Sequence, residues 1–376
     1  EELRLSASGE TLFLSSPDGV LLDSFTFSAL RPGLSCGRTE TGKLICTTPT
    51  PGRKNGESVY AGYCSQPVLS VQGGYCSDTF ILEMRVAVPG AEIYYTTDGS
   101  TPTENSKRYS EPVAVSKTTV IRAIAVSSSA LQSEETVATY FFGERHTLPV
   151  VSLSMTKSDL NYVFASESRL DIRERAGYAQ YYEADGTLGV SFPAGFRITG
   201  NGTRRYAQKS INLYLRGAYG RSGVTYPFFE DYGIHNFKSV SLRNMGQDWG
   251  STRLRDAFCM MAVKNLNLDT MQTRFAVVYI NGQYWGLYEF KENQNEDYLA
   301  AKYGIDPDKV ELIRNNTTAY KGTNEQIKKL YEIAKSGDMN DPETFKKLTD
   351  IADEAYFMDY LIATVYFTNS DAYNQK

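Results

Sequence analysis

The sequence predicts a multidomain protein in which two all-β sandwiches precede an α+β domain. The chain has 376 residues, which is more than one hydrophobic core usually supports. Short apolar strands alternate with turns rich in Pro, Gly and Asp as far as about Phe142. Beyond Gly143 the strands lengthen and helical patterns follow them, which is the order of an α+β domain.

The charge and hydropathy of the chain exclude two classes of partner. The formal net charge is -5 at pH 7 and Lys and Arg form no dense run. A nucleic-acid-binding surface or a basic helix on a membrane surface is therefore not expected. No segment approaches the ~18 apolar residues of a membrane span. The chain begins at Glu1 without a basic and then apolar signal segment, so we expect a mature or trimmed form.

The first predicted module covers residues 1–66. Residues 11–14 and 23–27 are short apolar strands between turns, a pattern typical of a β-sandwich. Its last segment, residues 48–55, resembles the end of lamin-tail-type domains, which are immunoglobulin-like. Strands that normally open such a domain are missing, so the resemblance implies that the chain begins inside one.

Four of the five cysteines lie in this first part of the chain and favour export. Disulfides between Cys36 and Cys46 and between Cys64 and Cys76 would each close a short loop. A zinc site made by the same four residues is the alternative, although none has the Cys-x-x-Cys spacing. Cys259 stands apart within a helical pattern and is expected to be a buried thiol.

The second predicted module covers residues 67–143. Residues 91–103 place an aromatic and β-branched strand before a turn, and residues 119–126 form another alternating strand. The block resembles the small immunoglobulin-like domain at the C-terminus of chitobiases, where it is a spacer. A structural spacer is expected here too, and carbohydrate contact through Tyr94 and Tyr95 is the alternative.

A tight hairpin is predicted at residues 275–292. The pair Asn281-Gly282 can take positive φ at both central turn positions, and an aromatic strand follows it. By the two-residue period Glu292 ends a row that also contains Tyr284, Gly286, Tyr288 and Phe290. The hairpin therefore delivers one carboxylate to a defined place.

A glycine-containing loop lies between two predicted strands, residues 191–199 and 210–215. Gly200 and Gly202 would let backbone amides approach a phosphate. Lys209 falls on the face of the apolar residues of the second strand, where an ammonium needs a counter-charge. The alternative is a lysine at the strand edge that extends to water.

Arg216 and Arg243 are further candidates for phosphate contact. Arg216 lies on the opposite face of its strand, and Arg243 follows the apolar alternation of the strand before it. Arg255-Asp256 opens the helix that carries Cys259. Pairs of Arg with carboxylates more often serve structure, so a structural role stays open for all of these residues.

The end of the chain combines a helix with a polar loop. Residues 354–367 have helical spacing and lead directly into residues 368–374, which include Asp371 and Asn374. In protein kinases a loop Asp takes the proton of the substrate hydroxyl and an Asn about five residues later binds magnesium. The separation here is three residues, and a simple polar turn is the alternative.

Several of these motifs together resemble the CotH kinase family, which has an atypical protein-kinase fold. The similarity runs from about Leu148 to the last residue, so the third predicted domain covers residues 144–376. Its motifs are residues 279–292 and 295–304, Gly200-Asn201-Gly202-Thr203, Gln208-Lys209-Ser210, Leu242-Arg243-Asn244 and Arg255-Asp256-Ala257.

The resemblance implies a kinase with ATP and Mg²⁺ as cofactors and a protein Ser or Thr as phosphoacceptor. Asp371 would be the catalytic base and Asn374, with Asp371, a metal ligand. Lys209 would grip the phosphates and Glu292 would orient it. The loop glycines and the two strand arginines would contribute to phosphate binding.

The chain departs from the family in one respect. CotH kinases carry a later Trp-Asp-x-Asp-type segment whose last Asp binds metal, and this sequence stops at Lys376 before such a segment. We therefore expect a domain truncated at its C-terminus, weak or inactive as given.

The overall expectation is an exported bacterial protein, extracellular or on the cell surface. A non-catalytic surface or adhesion protein that binds a cell-surface partner is the competing class. A Ser-His-Asp hydrolase is disfavoured because His146 and His235 are isolated and no Gly-x-Ser-x-Gly motif occurs. A glycosidase would need only two carboxylates in a cleft, and residues 289–297 contain candidates.

Overall fold

A computed structural model of the chain describes residues 5–6, 9–28, 30–31, 34–42, 44–47, 49–55, 63–143, 145–314 and 318–369. The first strands are β1 (Gly9–Ser15), β2 (Leu21–Ser28), β3 (Ser35–Arg38) and β4 (Leu44–Thr47). They form two separate antiparallel ribbons, β1 with β2 and β3 with β4. The apolar side chains of Phe13, Leu14 and Leu22 are exposed. In the described part of residues 1–66 no sandwich forms, and the lamin-tail resemblance stays a prediction.

The two predicted disulfides have different outcomes. The register of the β3–β4 ribbon places Cys36 opposite Cys46, but the side chain of Cys46 lies outside the described residues, so that pairing stays a prediction. The pairing of Cys64 with Cys76 is wrong, because both are free thiols.

The reason is the position of each cysteine along one strand of the second module. Cys76 lies opposite Phe142, at the C-terminal end of β13. The backbone N–H of Cys64 donates to the carbonyl of Leu131, before the N-terminal end of the same strand. The two thiols are therefore held at opposite ends of β13. Cys259, expected to be buried, is partly exposed.

The second module consists of short strands around its own core. Its strands are β5 (Val68–Leu69), β6 (Gly74–Cys76), β7 (Phe80–Leu82), β8 (Met84–Arg85), β9 (Glu92–Thr96), β10 (Lys107–Arg108), β11 (Val113–Val115), β12 (Thr119–Val126) and β13 (Thr136–Phe142). Five of them form a sheet in the order β10-β9-β12-β13-β6, and the others form the ribbons β11-β7 and β5-β8. The predicted strands at residues 91–103 and 119–126 correspond to β9 and β12. Apolar residues that alternate along β9 and β12, such as Ile93 and Ile121, fill the core.

The third region is a closed barrel with helices around it. Its elements are β14 (Val150–Ser154), α1 (Lys157–Phe164), β15 (Glu174–Tyr182), β16 (Leu188–Thr199), β17 (Ser210–Tyr214), β18 (Val224–Thr225), β19 (Asn236–Phe237), β20 (Ser239–Arg243), α2 (Arg255–Ala262), β21 (Thr273–Ile280), β22 (Gln283–Glu292), α3 (Glu296–Tyr303), β23 (Leu312–Arg314), β24 (Thr318–Lys321), α4 (Glu325–Ser336), α5 (Pro342–Thr349) and α6 (Glu354–Tyr366). Seven strands close the barrel in the order β14-β15-β16-β17-β20-β22-β21. Only β14 and β21 pair in parallel.

The predicted hairpin is confirmed. Asn281 and Gly282 have φ of 51° and 77°, the left-handed values that a two-residue turn between twisted strands requires. The side chain of Asn281 also accepts a hydrogen bond from Met155 N at 3.0 Å, so the turn is tied to the end of β14. The strands predicted around the glycine-containing loop and the helix predicted at residues 354–367 are present as β16, β17 and α6.

The second module packs directly against the barrel. An apolar cluster joins Phe141 of β13 to Tyr182 and Tyr279 of the barrel. Beside it, Thr139 Oγ1 donates to Gln180 Oε1 at 2.8 Å, and Gln180 Nε2 donates to the Val137 carbonyl at 2.9 Å. The second module therefore contacts the barrel, and its role as a spacer stays a prediction.

No helix within the described ranges is long and apolar enough to cross a membrane.

Candidate functional site

The three central barrel strands β17, β20 and β22 have one apolar and one polar face. Their inward side chains, among them Leu213, Leu242 and Phe290, form the barrel core. The opposite face is polar yet mostly buried, and its side chains are Ser210, Asn212, Ser239, Ser241, Arg243, Glu289 and Lys291. Alternation along paired strands produces this row, because neighbours in register point the same way.

Hydrogen bonds connect the polar row across the strands. Ser241 Oγ donates to Asn212 Oδ1 at 2.8 Å, and Asn212 Nδ2 donates to Asn293 Oδ1 at 3.2 Å. Asn293 Nδ2 in turn donates to Ser239 Oγ at 3.0 Å. Buried polar side chains that satisfy one another in this way hold a fixed geometry.

Four charged residues lie on the same face, and we call Arg243, Asp256, Glu289 and Lys291 the charged cluster. Lys291 Nζ lies 2.6 Å from Asp256 Oδ2, and Arg243 Nη1 lies 3.6 Å from the same oxygen. Arg243 Nε lies 3.5 Å from Glu289 Oε2. Lys291 is 3% exposed and Glu289 is 1% exposed. Burying charges at this depth is costly unless they are paired.

Asp256 reaches the cluster from the first turn of α2, and a compact loop positions that turn. Asp248, buried in this loop, accepts hydrogen bonds from Thr252 Oγ1 at 2.7 Å and from the backbone N–H of Arg255 at 3.1 Å. Hydrogen bonds from Ser251 and Thr252 hold the pKa of Asp248 well below its usual range. The loop thus satisfies a free backbone donor at the start of α2.

The pKa values of the two acids in the cluster are shifted in opposite directions. Burial, and next the negative charge of Asp256, raises the pKa of Glu289 to about 7. Burial acts to raise the pKa of Asp256 as well, but the positive charges of Lys291 and Arg243 outweigh it and lower that pKa. The carboxyl oxygens of Glu289 form no hydrogen bond of good geometry with the described residues, and their contacts with the backbone N–H of Ala257 and with Arg243 are long or poorly aligned. Near neutral pH Asp256 is therefore a carboxylate, whereas Glu289 exchanges a proton between its carboxyl and carboxylate forms.

The glycine-containing loop closes over itself beside the start of β17. Gly200 has φ of 98°, and residues 202–205 form a 3-10 turn. Arg204 Nε donates to the Gly200 carbonyl at 2.8 Å, and Arg204 Nη1 donates to Ser166 Oγ at 2.6 Å. Lys209 Nζ donates to the Arg204 carbonyl. These bonds bring Lys209 to the loop, as the sequence predicts.

Lys209 and Arg204 have no carboxylate in direct contact within the described chain, and Asp171 acts on Arg204 only from a greater distance. Among the described residues neither forms an ion pair within 4.0 Å. Burial, and next the positive charge of Arg204, lowers the pKa of Lys209. A site with surplus positive charge and backbone N–H groups nearby can hold an anion.

The structure does not bring Lys209 and Glu292 together, so the prediction that Glu292 orients Lys209 is wrong. Glu292 accepts from Tyr232 OH and from Gln272 N, each at 2.8 Å. It lies in register with Val240, and hence at the far end of β17 from Lys209. Burial raises the pKa of Glu292.

The other predicted phosphate-binding residues are separated. Gly200 and Gly202 lie in the loop beside Lys209, whereas Arg243 belongs to the charged cluster. Arg216 lies past the far end of β17, where its Nη1 is 2.7 Å from Glu174 Oε1 and its guanidinium stacks on Tyr214.

The predicted base and metal ligands, Asp371 and Asn374, lie outside the described residues. Within those residues no group of three or more His, Cys, Asp or Glu side chains could hold a metal ion. The predicted base and metal ligands therefore stay predictions.

A cavity of about 440 Å³ lies at the end of β22. Its lining includes Ser239, Glu292, Asn293, Asn295 and Tyr298. This volume is within the range of small-molecule sites. The polar row leads from the charged cluster to the cavity, because Ser239 of the row lines the cavity and accepts a hydrogen bond from Asn293, which lines it too.

Sequence reasoning missed the pair of Lys291 and Asp256. The signal was present, because the period that places Glu292 with the aromatic row also places Lys291 on the opposite face with Glu289. The two-residue period could not identify the partner of Lys291, because Asp256 lies on a helix 35 residues away in the chain.

Comparison with protein families assigns two parts of the chain. Residues 196–376 match the family described as CotH kinase protein. Residues 71–139 match the family described as Chitobiase/beta-hexosaminidase C-terminal domain. A comparison with curated proteins finds no match. The charged cluster, the glycine-containing loop and the cavity all lie within the first matched segment.

Proposed function

We propose that the domain formed by residues 196–376, which matches the family described as CotH kinase protein, transfers the γ-phosphate of ATP to a Ser or Thr hydroxyl of a protein. The observation that carries the proposal is the buried contact between Lys291 and Asp256 at 2.6 Å. Protein kinases hold a strand cation with an acid from the neighbouring helix, and that pair must be in place for transfer. Asp256 would orient Lys291, so both members of this pair differ from the predicted pair of Glu292 and Lys209.

The set of elements supports the same function. A hairpin, β16 with β17, carries the glycine-containing loop, and α2 lies between β20 and the hairpin of β21 and β22. Protein kinases also combine a glycine-rich loop with a strand cation and a helix acid. The order differs, because Asp256 precedes Lys291 in this chain and the strand cation precedes the helix acid in protein kinases. This likeness is an analogy of arrangement, and the charged contacts give it chemical content.

The residues at the loop fit a phosphate group. Lys209 and Arg204 supply positive charge with no carboxylate of the described residues in direct contact, and the space around Gly202 is open to close backbone approach. In the proposal the cavity at the end of β22 takes the base of the nucleotide, and the polar row leads from the cavity towards Arg243 and Lys291.

In the proposed reaction the acceptor oxygen bonds to the γ-phosphorus while the bond from that phosphorus to the β,γ-bridging oxygen breaks. The hydroxyl proton passes to the carboxylate of Asp371, and ADP leaves. Magnesium, when bound, would neutralise charge on the phosphate oxygens, and the amide and carboxylate oxygens of Asn374 and Asp371 are ligands of the type it takes. The charged cluster positions the phosphates.

The test separates binding from transfer in the full chain. ATP with Mg²⁺ should raise the melting temperature, and labelled phosphate should pass from ATP to a Ser/Thr peptide library. Lys209→Ala should weaken ATP binding roughly tenfold, whereas the matched surface variant Lys117→Ala should not. Asp371→Asn should keep ATP binding and lower transfer by about 10²-fold or more.

Two results would contradict the proposal. Unchanged ATP affinity in Lys209→Ala would remove Lys209 from the phosphate site. A chain that shows neither a shift with ATP and Mg²⁺ nor transfer would favour the competing class, a non-catalytic recognition domain.

A further inference from the structure

An aromatic and cationic surface lies beside the glycine-containing loop, and we call Tyr206, Trp249 and Arg253 the aromatic rim. The rings of Tyr206 and Trp249 have centroids 5.9 Å apart. The guanidinium of Arg253 lies 5.1 Å from the centroid of the Trp249 ring. Trp249 is 37% exposed, which is high for a side chain that a core could otherwise bury.

Hydrogen bonds attach the rim to the residue next to Lys209. Trp249 Nε1 donates to Gln208 Oε1 at 2.8 Å, and buried Gln208 donates to the Leu287 carbonyl at 2.6 Å. Arg253 Nε donates to the Trp249 carbonyl at 2.9 Å. The rim is therefore held at a set position relative to Lys209, and it loses little conformational freedom on binding.

The positive charges around the rim form no ion pairs with the described carboxylates. In the described parts of the chain Arg253 and the exposed Arg205 form no ion pair, and Lys209 behind them forms none either. Elsewhere exposed arginines do find carboxylates, as Arg216 does with Glu174. Surplus positive charge on a chain of net charge -5 favours an acidic partner.

We propose that the aromatic rim binds the acceptor segment, and that this segment carries Asp or Glu residues close to the Ser or Thr. The inference rests on the proposed function, because the rim adjoins the loop at which the phosphate would bind. A carboxylate of the acceptor pairs with the guanidinium of Arg253 while the Trp249 ring packs on the peptide backbone. The rim thus selects acceptors by charge.

The experiment compares matched peptides that differ only in whether acidic or basic residues flank one Ser. The wild-type chain should phosphorylate the acidic peptide with a kcat/KM at least about tenfold higher. Arg253→Glu should remove the preference for the acidic peptide by raising the KM for that peptide. The same variant should leave the ATP-induced thermal shift unchanged. Arg253→Lys, which keeps the charge, should retain most of the preference, and Lys117→Glu in the second module should change nothing.

Direct binding separates failure of this inference from failure of the proposed function. Anisotropy of the labelled acidic peptide, measured without ATP, should show binding that Arg253→Glu weakens about tenfold. If transfer occurs with equal or greater efficiency on the basic peptide, the rim inference is overturned and the kinase proposal stands. If no transfer occurs but the acidic peptide still binds through Arg253, the kinase proposal fails and the rim remains an acidic-peptide site.

A third outcome concerns another class of ligand. Aromatic and basic surfaces also bind single-stranded nucleic acid. A short oligonucleotide that displaces the acidic peptide and binds more tightly than it does would overturn the inference.

Discussion

Two buried regions of this chain differ in the kind of side chain they bury, since one is apolar and the other is charged. Where the second module meets the barrel, the centre of the contact is aromatic and neutral, with Phe141, Tyr182 and Tyr279 in one cluster. On the outer face of β20 and β22, the structure instead buries the charges of Asp256 and Lys291. Burial of apolar side chains stabilises a fold. Burial of ions can stabilise it only when each charge has a partner of opposite charge.

This difference favours a structural role for the contact between the second module and the barrel, and a functional role for the charged cluster. At the module contact the polar groups of Thr139 and Gln180 satisfy each other. In the charged cluster the carboxyl group of Glu289 forms no hydrogen bond of good geometry within the described residues, and burial raises its pKa. Perturbed, incompletely satisfied groups are typical of functional sites, where stability is given up for reactivity.

The largest effect is expected from breaking the buried pair. Asp256→Ala leaves the ammonium of Lys291 buried without its carboxylate, so the free energy of unfolding should fall by about 3–5 kcal/mol. Phosphoryl transfer should fall at least ~100-fold, because the phosphates lose their positioning. Chemical denaturation and the peptide assay measure the two effects.

A double variant, Asp256→Leu with Lys291→Met, separates these effects. Replacing both ions by apolar side chains should return most of the stability and none of the transfer. Transfer that recovers along with stability would mean that the pair serves the fold alone.

At the module contact, Phe141→Ala removes a buried ring and should lower the free energy of unfolding by about 3–5 kcal/mol. ATP affinity per folded molecule should not change. Phe13→Ala, at an exposed ring of β1, is the matched control and should change stability by less than about 0.5 kcal/mol. A loss of ATP affinity in Phe141→Ala would show that the module also shapes the site.

The third prediction concerns pH and Glu289. The folded-state pKa of Glu289, about 7, lies above its ordinary value of 4.5. Between these pH values the folded chain binds the extra proton, so this residue makes stability fall as pH rises from about 4.5 to 7. Glu289→Gln should remove that fall, which we expect to be on the order of 1–3 kcal/mol.

Denaturation midpoints of the two proteins at pH 4.5, 6 and 7.5 test this expectation. Parallel pH profiles for wild type and Glu289→Gln would show that the proton is not held by Glu289. The matched control is Glu325→Gln at the start of the exposed helix α4, which should leave the profile unchanged.

The smallest effect is expected for a hydrogen bond at the module contact. Thr139→Val keeps the shape of the side chain and removes the hydroxyl that donates to Gln180, which should cost about 1–2 kcal/mol. Thr119→Val, which loses a hydrogen bond near the surface, should cost less. Equal losses would mean that burial does not distinguish these two bonds.

Local patterns predicted the elements of the barrel well. The Asn281-Gly282 turn, the strands on either side of the glycine-containing loop and the helix α6 follow from residue preferences over a few positions. Such preferences act within one or two turns of the chain and need no distant partner. The position of Lys209 beside the loop was predictable for the same reason.

Contacts between distant segments were not predictable. The sequence suggested that Lys209 and Glu292 form a pair of a lysine and an acid. Strand order and register instead place these two residues at opposite ends of β17. In the same way, two neighbouring cysteines, Cys64 and Cys76, are separated by the length of β13. Sequence distance carries little information about either separation.

The sequence by itself determined the alternation of faces, the hairpin turn, the glycine-containing loop and the resemblance to CotH kinases. Only the tertiary structure decided that Asp256 is the acid that contacts Lys291, that the second module packs on the barrel, and that Arg253 stacks on Trp249. The physical reason is that periodicity sets the direction in which each side chain points, whereas the closure of the barrel sets what it meets there.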